Sequence, residues 1–267
     1  MSARSVTSAD GTTLVHERFG DGPPVVLVGG AMSARGAGEP LARQLAVLGM
    51  SGVVYDRRGR GDSGDTPPYA PEREAEDLAA VVGALVAEEG GGAVHVFGMS
   101  SGGIVALNAA ARADRAFERL VLFEPPFTGA AGQPQAASHA ARLAELVSEG
   151  RRGEAVAYFM AQIVGLPPQA VEGARQSPAW GEMQELAHTL VYDTTLLGDA
   201  DLPAEALAAA DLPALVLSSD ASTPVLREAA RLTAQALPHG GHRALAGAFH
   251  HVPPEQLAPV MRDFLLA

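Results

Sequence analysis

Ala93-Val94-His95-Val96-Phe97-Gly98-Met99-Ser100-Ser101-Gly102-Gly103-Ile104-Val105-Ala106-Leu107 passes from one apolar run to another through a serine flanked by glycines. The first run predicts a strand over 93–97, Gly98 to Gly103 a sharp turn, and 104–112 a helix. Gly98-Met99-Ser100-Ser101-Gly102 is a G-x-S-x-G pattern in the strand-turn-helix context that gives it chemical meaning. A serine on such a turn sits in a strained backbone conformation, and small neighbours keep side chains from clashing around it. The helix that follows aims its first amides at the place where a negatively charged oxygen would form. Ser101 would be the exposed serine only if the turn were shifted by one residue.

The same rhythm extends to both sides. Two short strands are expected between Val6 and Phe19 around Ala9-Asp10-Gly11-Thr12, then buried strands at Val25–Val28 and Gly52–Tyr55 with a helix at Glu39–Leu48 between them. Pro71 to Glu88 reads as a helix, with Pro at its start, acidic residues in its first turns and an apolar face of Leu78, Val81, Val82 and Leu85. Arg119–Phe123 is a further strand. From Phe127 to Ala210 only helical segments appear, broken by Pro134, Pro167-Pro168 and Pro178. Strand and helix then alternate again: Ala214–Leu217, Pro224–Leu237, Arg243–Ala246 and Pro254–Leu266. The class is α/β, a mostly parallel sheet covered by helices on both faces. The expected division is a core of 1–126 and 211–267 with a helical cap inserted at 127–210.

Composition narrows the function. The 267 residues carry 19 basic and 31 acidic side chains, a formal charge of −12. That balance disfavours phosphate backbones and anionic lipid, so neither nucleic acid nor membrane is an expected partner. The chain has no cysteine, which removes disulfides, thiolate metal sites and a cysteine nucleophile. No spacing of His and carboxylates suggests a metal site, and no cofactor is expected. The opening residues lack the apolar stretch of a secretion signal, so a cytoplasmic location is expected. Abundant Ala, Gly, Pro and Arg point to a GC-rich bacterial genome.

The elbow, together with Val25-Val26-Leu27-Val28-Gly29-Gly30-Ala31-Met32 and Gly52-Val53-Val54-Tyr55-Asp56-Arg57-Arg58-Gly59-Arg60-Gly61-Asp62-Ser63, resembles the α/β-hydrolase superfamily across nearly the whole chain. The resemblance implies the α/β-hydrolase fold with an inserted helical lid. It also implies Ser100 as nucleophile, with the backbone N–H groups of Ala31 and Ser101 as oxyanion hole. Gly29 stands where such proteins often carry His.

A general base is expected just after the last strand, at Ala248-Phe249-His250-His251-Val252-Pro253. Neighbours in extended chain point opposite ways, and the resemblance favours His250 over His251. For the acid, many relatives have Asp where this chain has Ser222, and Asp220 lies two residues earlier. Glu124, in Leu122-Phe123-Glu124-Pro125-Pro126, ends the preceding strand instead. That placement is similar to certain haloalkane dehalogenases and to the zearalenone-type lactonases, which share the Gly-x-Ser-Ser-Gly elbow. Glu124 is therefore the expected acid and Asp220 the alternative.

Met32, Met99, Phe127, Trp180 and Tyr192 are the expected pocket residues, with Phe159, Met160, Ile163, Met183 and Leu186 further apolar candidates on the inserted helices. Gly59-Arg60-Gly61-Asp62-Ser63-Gly64 fits a dinucleotide fingerprint, but Asp65-Thr66-Pro67-Pro68 follows where a helix must open. Its Arg-Gly-Asp tripeptide is read as chance. Arg57 and Arg58 are expected either to meet a substrate carboxylate or to pair with Asp56 or Asp62. The sum is a serine hydrolase cleaving an ester or lactone, with a small, apolar or bulky substrate. Two alternatives stand beside it. One is a non-ester reaction at the same site, such as C–C hydrolysis, perhydrolysis, cyclisation or epimerisation. The other is a ligand-binding protein with a vestigial triad.

Overall fold

The computed structural model describes residues 3–112, 115–129 and 136–267. Its centre is an eight-stranded sheet in the order β1-β2-β4-β3-β5-β6-β7-β8. The strands are β1 (Arg4–Thr7), β2 (Thr13–Phe19), β3 (Pro24–Val28), β4 (Ser51–Tyr55), β5 (His95–Met99), β6 (Arg119–Phe123), β7 (Ala214–Ser219) and β8 (Gly240–Leu245). β1 and β2 pair antiparallel at one edge, and every pair from β4 to β8 is parallel. β3 and β4 are buried along their whole length, as continuous apolar runs require when helices cover both faces.

The helices α1 (Glu39–Val47), α2 (Pro71–Glu88), α3 (Ser101–Ala110), α10 (Pro224–Ala236) and α11 (Pro254–Leu265) sandwich this sheet. One apolar layer joins α2, α3 and α10 to the sheet through Leu78, Val81, Ile104, Leu107, Ala230 and Ala234. On the other face, Leu41 and Leu45 of α1 and Leu257 and Met261 of α11 pack with Val25, Leu27, Phe97 and Phe123. Strand order reverses between β3 and β5. The loops leaving those two strands therefore diverge and open a crevice at the carboxyl end of the sheet.

Between β6 and β7 lie α4 (Ala136–Ser148), α5 (Arg152–Tyr158), a π-helical turn (Phe159–Ile163), α6 (Pro168–Arg175), α7 (Trp180–Glu185), α8 (Thr189–Leu197) and α9 (Ala204–Ala209). Leu143, Leu146, Val156, Phe159, Met160 and Leu190 give this segment an apolar cluster of its own. From Leu196 onward its side chains, Leu207 and Ala210 included, join the core beneath the sheet. Pro134, one of the expected breaks, lies outside the described residues. No helix among the described residues is long and apolar enough to cross a membrane.

Two element boundaries differ from the expectation in ways that matter. β5 continues to Met99 and α3 starts at Ser101, so only Ser100 separates strand from helix. β7 runs on to Ser219, which brings its last amide alongside the end of β6.

Candidate active site

Ser100 has φ 53° and ψ −124°, left-handed backbone that a residue with a Cβ adopts only under constraint. The constraint is visible in the glycines. A Cβ at Gly102 would lie 2.3 Å from the Val28 carbonyl oxygen and 2.5 Å from that of Gly29, and one at Gly98 would lie 2.6 Å from the Gly102 carbonyl. Only glycine lets strand, turn and helix approach this closely. The Ser100 N–H donates to the Phe123 carbonyl at 2.9 Å, and Met99 pairs with Phe123 in the β5–β6 register. Ser100 is thus seated beside the residue that follows Phe123.

That residue is Glu124, fully buried at the end of β6 and also at positive φ, 45°. Its two carboxylate oxygens are both engaged. Oε1 accepts the Ser219 N–H at 2.7 Å, and Oε2 accepts from His250 Nδ1 at 2.6 Å. Burial alone would raise this carboxyl, but bonds from His250, from the Ser222 hydroxyl and from the Ser219 amide outweigh it. They hold Glu124 below the usual carboxylate range. His250 occupies the third position of the turn Ala248-Phe249-His250-His251, closed by a 3.2 Å bond from His251 N–H to Ala248 C=O, and takes φ 52° there. With Nδ1–H committed to Glu124, Nε2 is left as the basic nitrogen.

Asp220, the alternative acid, is exposed. Its Oδ1 accepts the Gly247 N–H at 3.2 Å and so shapes the loop ahead of His250. His251 is exposed and hydrogen-bonds through its backbone to Ala248.

The loop after β4 differs from the expectation. Arg57, Arg58 and Arg60 all point inward and are at most 2 % exposed. Arg57 makes a two-pronged bond to Glu74 at 2.6 and 2.7 Å, and Arg58 does the same to Asp77 at 2.7 and 2.8 Å, with Asp10 as a further partner. Neither pairs with Asp56 or Asp62; those two carboxylates hold Arg35 instead. Asp193, in the middle of α8, accepts from Arg60 at 2.8 and 2.9 Å, from Arg57 at 3.0 Å and from the Ser101 hydroxyl at 2.8 Å. Burial opposes charge on Glu74 and Asp193, yet the guanidinium groups beside them keep both below the ordinary carboxylate range. The glycine-rich run is part of this packing, not a nucleotide cradle: Gly59 C=O bonds His188 Nε2 at 2.8 Å. Its Arg-Gly-Asp tripeptide has Arg60 buried and Asp62 paired with Arg35.

A cavity of about 1160 Å³ opens between the sheet's carboxyl end and the inserted helices, lined by Ser100, Ser101, Ala31 and His250 together with a large apolar surface. Met32 and Met99 line it as expected, and so do Phe159, Met160 and Ile163. All three lie in the π-helical turn. The other expected lining residues are engaged elsewhere. Phe127 is buried in the core under the sheet, and Trp180 packs in the inserted segment beneath the Arg175 guanidinium. Tyr192 stacks on Tyr69 at 4.2 Å with its hydroxyl on Asp65. Met183 belongs to the inserted cluster, and Leu186 is buried away from the cavity.

A family model described as serine aminopeptidase, S33 matches residues 23–256. An α/β hydrolase from Sphaerobacter thermophilus is 46% identical over 98% of this chain and 99% of its own, with a TM-score of 0.88. The chain belongs to this α/β-hydrolase family. A thermophilic esterase from Thermogutta terrifontis shares the fold at 24% identity and TM-score 0.75, covering 100% of this chain and 98% of its own. An N-formylmaleamic acid deformylase from Pseudomonas putida does so at 21% and 0.66, covering 100% of both chains.

The motifs single out Ser100, His250 and Glu124; Ser100 and His250 line one cavity and Glu124 bonds His250, but the residues that support them carry no motif. Ser219 and Ser222 sit in the strand end where an Asp was sought, so the signal was present in the wrong residue type. Asp193 lies in a helix without any motif; of the three buried arginines after β4, Arg60 is the one whose carboxylate partner is Asp193 alone among the described residues.

Proposed function

We propose that the protein is a serine hydrolase that cleaves a carboxylic ester or lactone of a bulky, apolar small molecule through an acyl-enzyme. The observation that carries this reading is the 2.6 Å bond between buried Glu124 and His250 Nδ1, in a cavity that Ser100 also lines. Glu124 fixes the imidazole tautomer, so Nε2 is free to take the Ser100 proton as Oγ attacks the carbonyl carbon. The Ala31 and Ser101 N–H groups receive the negative oxygen. Ser101 opens α3, so its amide is among those with no carbonyl partner inside the helix. His250 returns the proton to the departing alkoxide, then deprotonates the water that releases the acid. The helices between β6 and β7 serve as the lid.

The cavity supports an apolar substrate. Leu27, Leu41, Phe97, Phe123, Val252 and Leu257 line it from the layer between sheet and α1/α11, and each is 2–9 % exposed. Val25, Leu45 and Met261 in the same layer are 0 % exposed. The cavity therefore reaches into that layer, and Val164, Val225 and Phe249 form an exposed apolar mouth. An apolar acyl or alcohol portion fits this surface, gaining about 25 cal/mol for each Å² withdrawn from water.

The test is intact mass after a fluorophosphonate probe on the parent, Ser100→Ala and Glu124→Gln. A single adduct, absent in Ser100→Ala and slow in Glu124→Gln, is the expected result. A parent without adduct rejects the hydrolase reading and favours a binding role.

A further inference from the structure

Both peptides that face the developing charge are tied, by different side chains, to one carboxylate. In a trans peptide the C=O and the following N–H point to opposite sides. The Gly30 carbonyl accepts Arg60 Nη1 at 2.6 Å and the Ser33 hydroxyl at 2.8 Å, so the Ala31 N–H is turned away from them. Arg60 is held in turn by both oxygens of Asp193, at 2.8 and 2.9 Å. The second donor belongs to Ser101, whose hydroxyl donates to Asp193 Oδ1 at 2.8 Å. Arg57 closes the ring, reaching the Gly29 carbonyl at 3.2 Å, Ser101 Oγ at 3.1 Å and Asp193 at 3.0 Å.

We propose that Asp193 is a positioning residue that sets the direction of both oxyanion donors, Ala31 N–H through Arg60 and Ser101 N–H through its own hydroxyl. A buried ion pair needs partners whatever its role, but charge balance alone does not account for these contacts. The two guanidinium groups are already matched by Glu74 and Asp193, so the set is neutral. Its remaining bonds go to the Gly29 and Gly30 carbonyls and to an uncharged serine beside the nucleophile. With no net charge to contribute, the ring acts by fixing directions. Asp193 also rides on α8, outside the sheet. The oxyanion hole is therefore assembled only when α8 is seated, which couples the inserted segment to chemistry as well as to substrate access.

The kinetic arm of the test rests on the ester-cleavage reading; the structural arm does not. An oxoester and its thionoester counterpart are compared on the parent and Asp193→Asn, because a thiocarbonyl sulfur gains little from oxyanion hydrogen bonds. The parent's preference for the oxoester is expected to fall by about tenfold or more in kcat, with KM held within about twofold. Equal losses on both substrates, or an unchanged or raised preference, overturn the proposal. If Asp193→Asn does not fold, the same comparison is made on Ser101→Ala and Arg60→Lys, which keep the charges matched, and the same outcomes support or overturn the proposal. Crystal structures of Asp193→Asn and Arg60→Lys are expected to show the Gly30–Ala31 peptide rotated. An unmoved peptide overturns the proposal even for a protein that cleaves no ester. A parent that takes no fluorophosphonate adduct rejects the hydrolase reading and leaves the peptide's orientation as the deciding result.

Discussion

The Ser222 hydroxyl accepts a 2.9 Å hydrogen bond from the His250 backbone N–H and also bonds the Glu124 carboxylate. Ser222 stands where the family resemblance places an acid, so that position still orients the histidine although the charge has moved to β6. Ser222→Ala is expected to slow ester hydrolysis about tenfold and to destabilise by about 1–2 kcal/mol through the bonds it unmakes. Ser222→Asp alone sets a second carboxylate against Glu124 and lowers activity. Combined with Glu124→Gln it should restore part of the rate, and steady-state kinetics on one ester reads all three.

Glu124→Gln keeps the shape of the site but exchanges an acceptor of the His250 Nδ1–H for a weaker, neutral one. A fall of about 10³–10⁴-fold in kcat is expected, the scale seen when a triad acid is neutralised. Asp220→Asn leaves kcat close to the parent, because Asp220 is exposed and bonds only the Gly247 and Leu245 backbone. The reverse ranking in the same assay would transfer the acid to Asp220.

Removing Arg57 strands the Glu74 charge in the interior with the Tyr69 hydroxyl on it, and takes one of the two cations from Asp193. Arg57→Met is expected to cost about 3–5 kcal/mol, a drop of about 10 °C in Tm for a protein of this size. Arg151→Met, at an exposed pair with Glu154, leaves Tm where it was. Thermal unfolding of the two variants side by side checks the contrast.

Glu124, Glu74 and Asp193 all lie below the ordinary carboxylate range in the folded protein. The unfolded chain therefore binds more protons than the folded one as the medium becomes acidic. The stability these groups supply is complete above the unfolded value, about 4.3 for Glu and 3.9 for Asp. It is lost as pH falls through their folded values. Denaturant titrations at pH 6, 4 and 3 should show stability level between the first two and declining at the last, less steeply in Glu124→Gln.

Gly30→Ala would place a Cβ 3.2 Å from Ser100 Cβ, against Gly102→Ala with its 2.3 Å encounter with the Val28 carbonyl. The first variant is expected to fold and lose most activity; the second is expected to lose the fold. Circular dichroism and probe labelling together separate the two outcomes.

The parallel sheet was legible because β3, β4 and β6 are uninterrupted apolar runs, and α2 because proline, acidic first turns and an apolar face all agree over Pro71–Glu88. The placement of Ser100, His250 and Glu124 at strand and turn ends was legible because each closes an element with little local freedom. Pocket residues were legible only in part: Met32, Met99, Phe159, Met160 and Ile163 line the cavity, and Phe127, Trp180 and Tyr192 do not. An aromatic such as Tyr192 or Trp180 on an amphipathic helix carries no mark of whether it meets a ligand, a tyrosine or an arginine. Nor did the three arginines after β4 reveal whether they faced solvent or core, since that depends on Glu74, Asp77 and Asp193, distant in the chain.

Among the described residues, Met32, Ser100, Glu124, Ala200 and His250 are the non-glycines with positive φ; four of them line the cavity, and the fifth, Glu124, bonds His250. Each such residue costs about 1–3 kcal/mol that glycine would not. The protein is least comfortable where it is most chemically able. A selection for heat resistance alone would drift toward glycine at these positions and return a sturdier, inert molecule. Directed evolution of this scaffold should therefore hold those five positions fixed and look for added stability elsewhere.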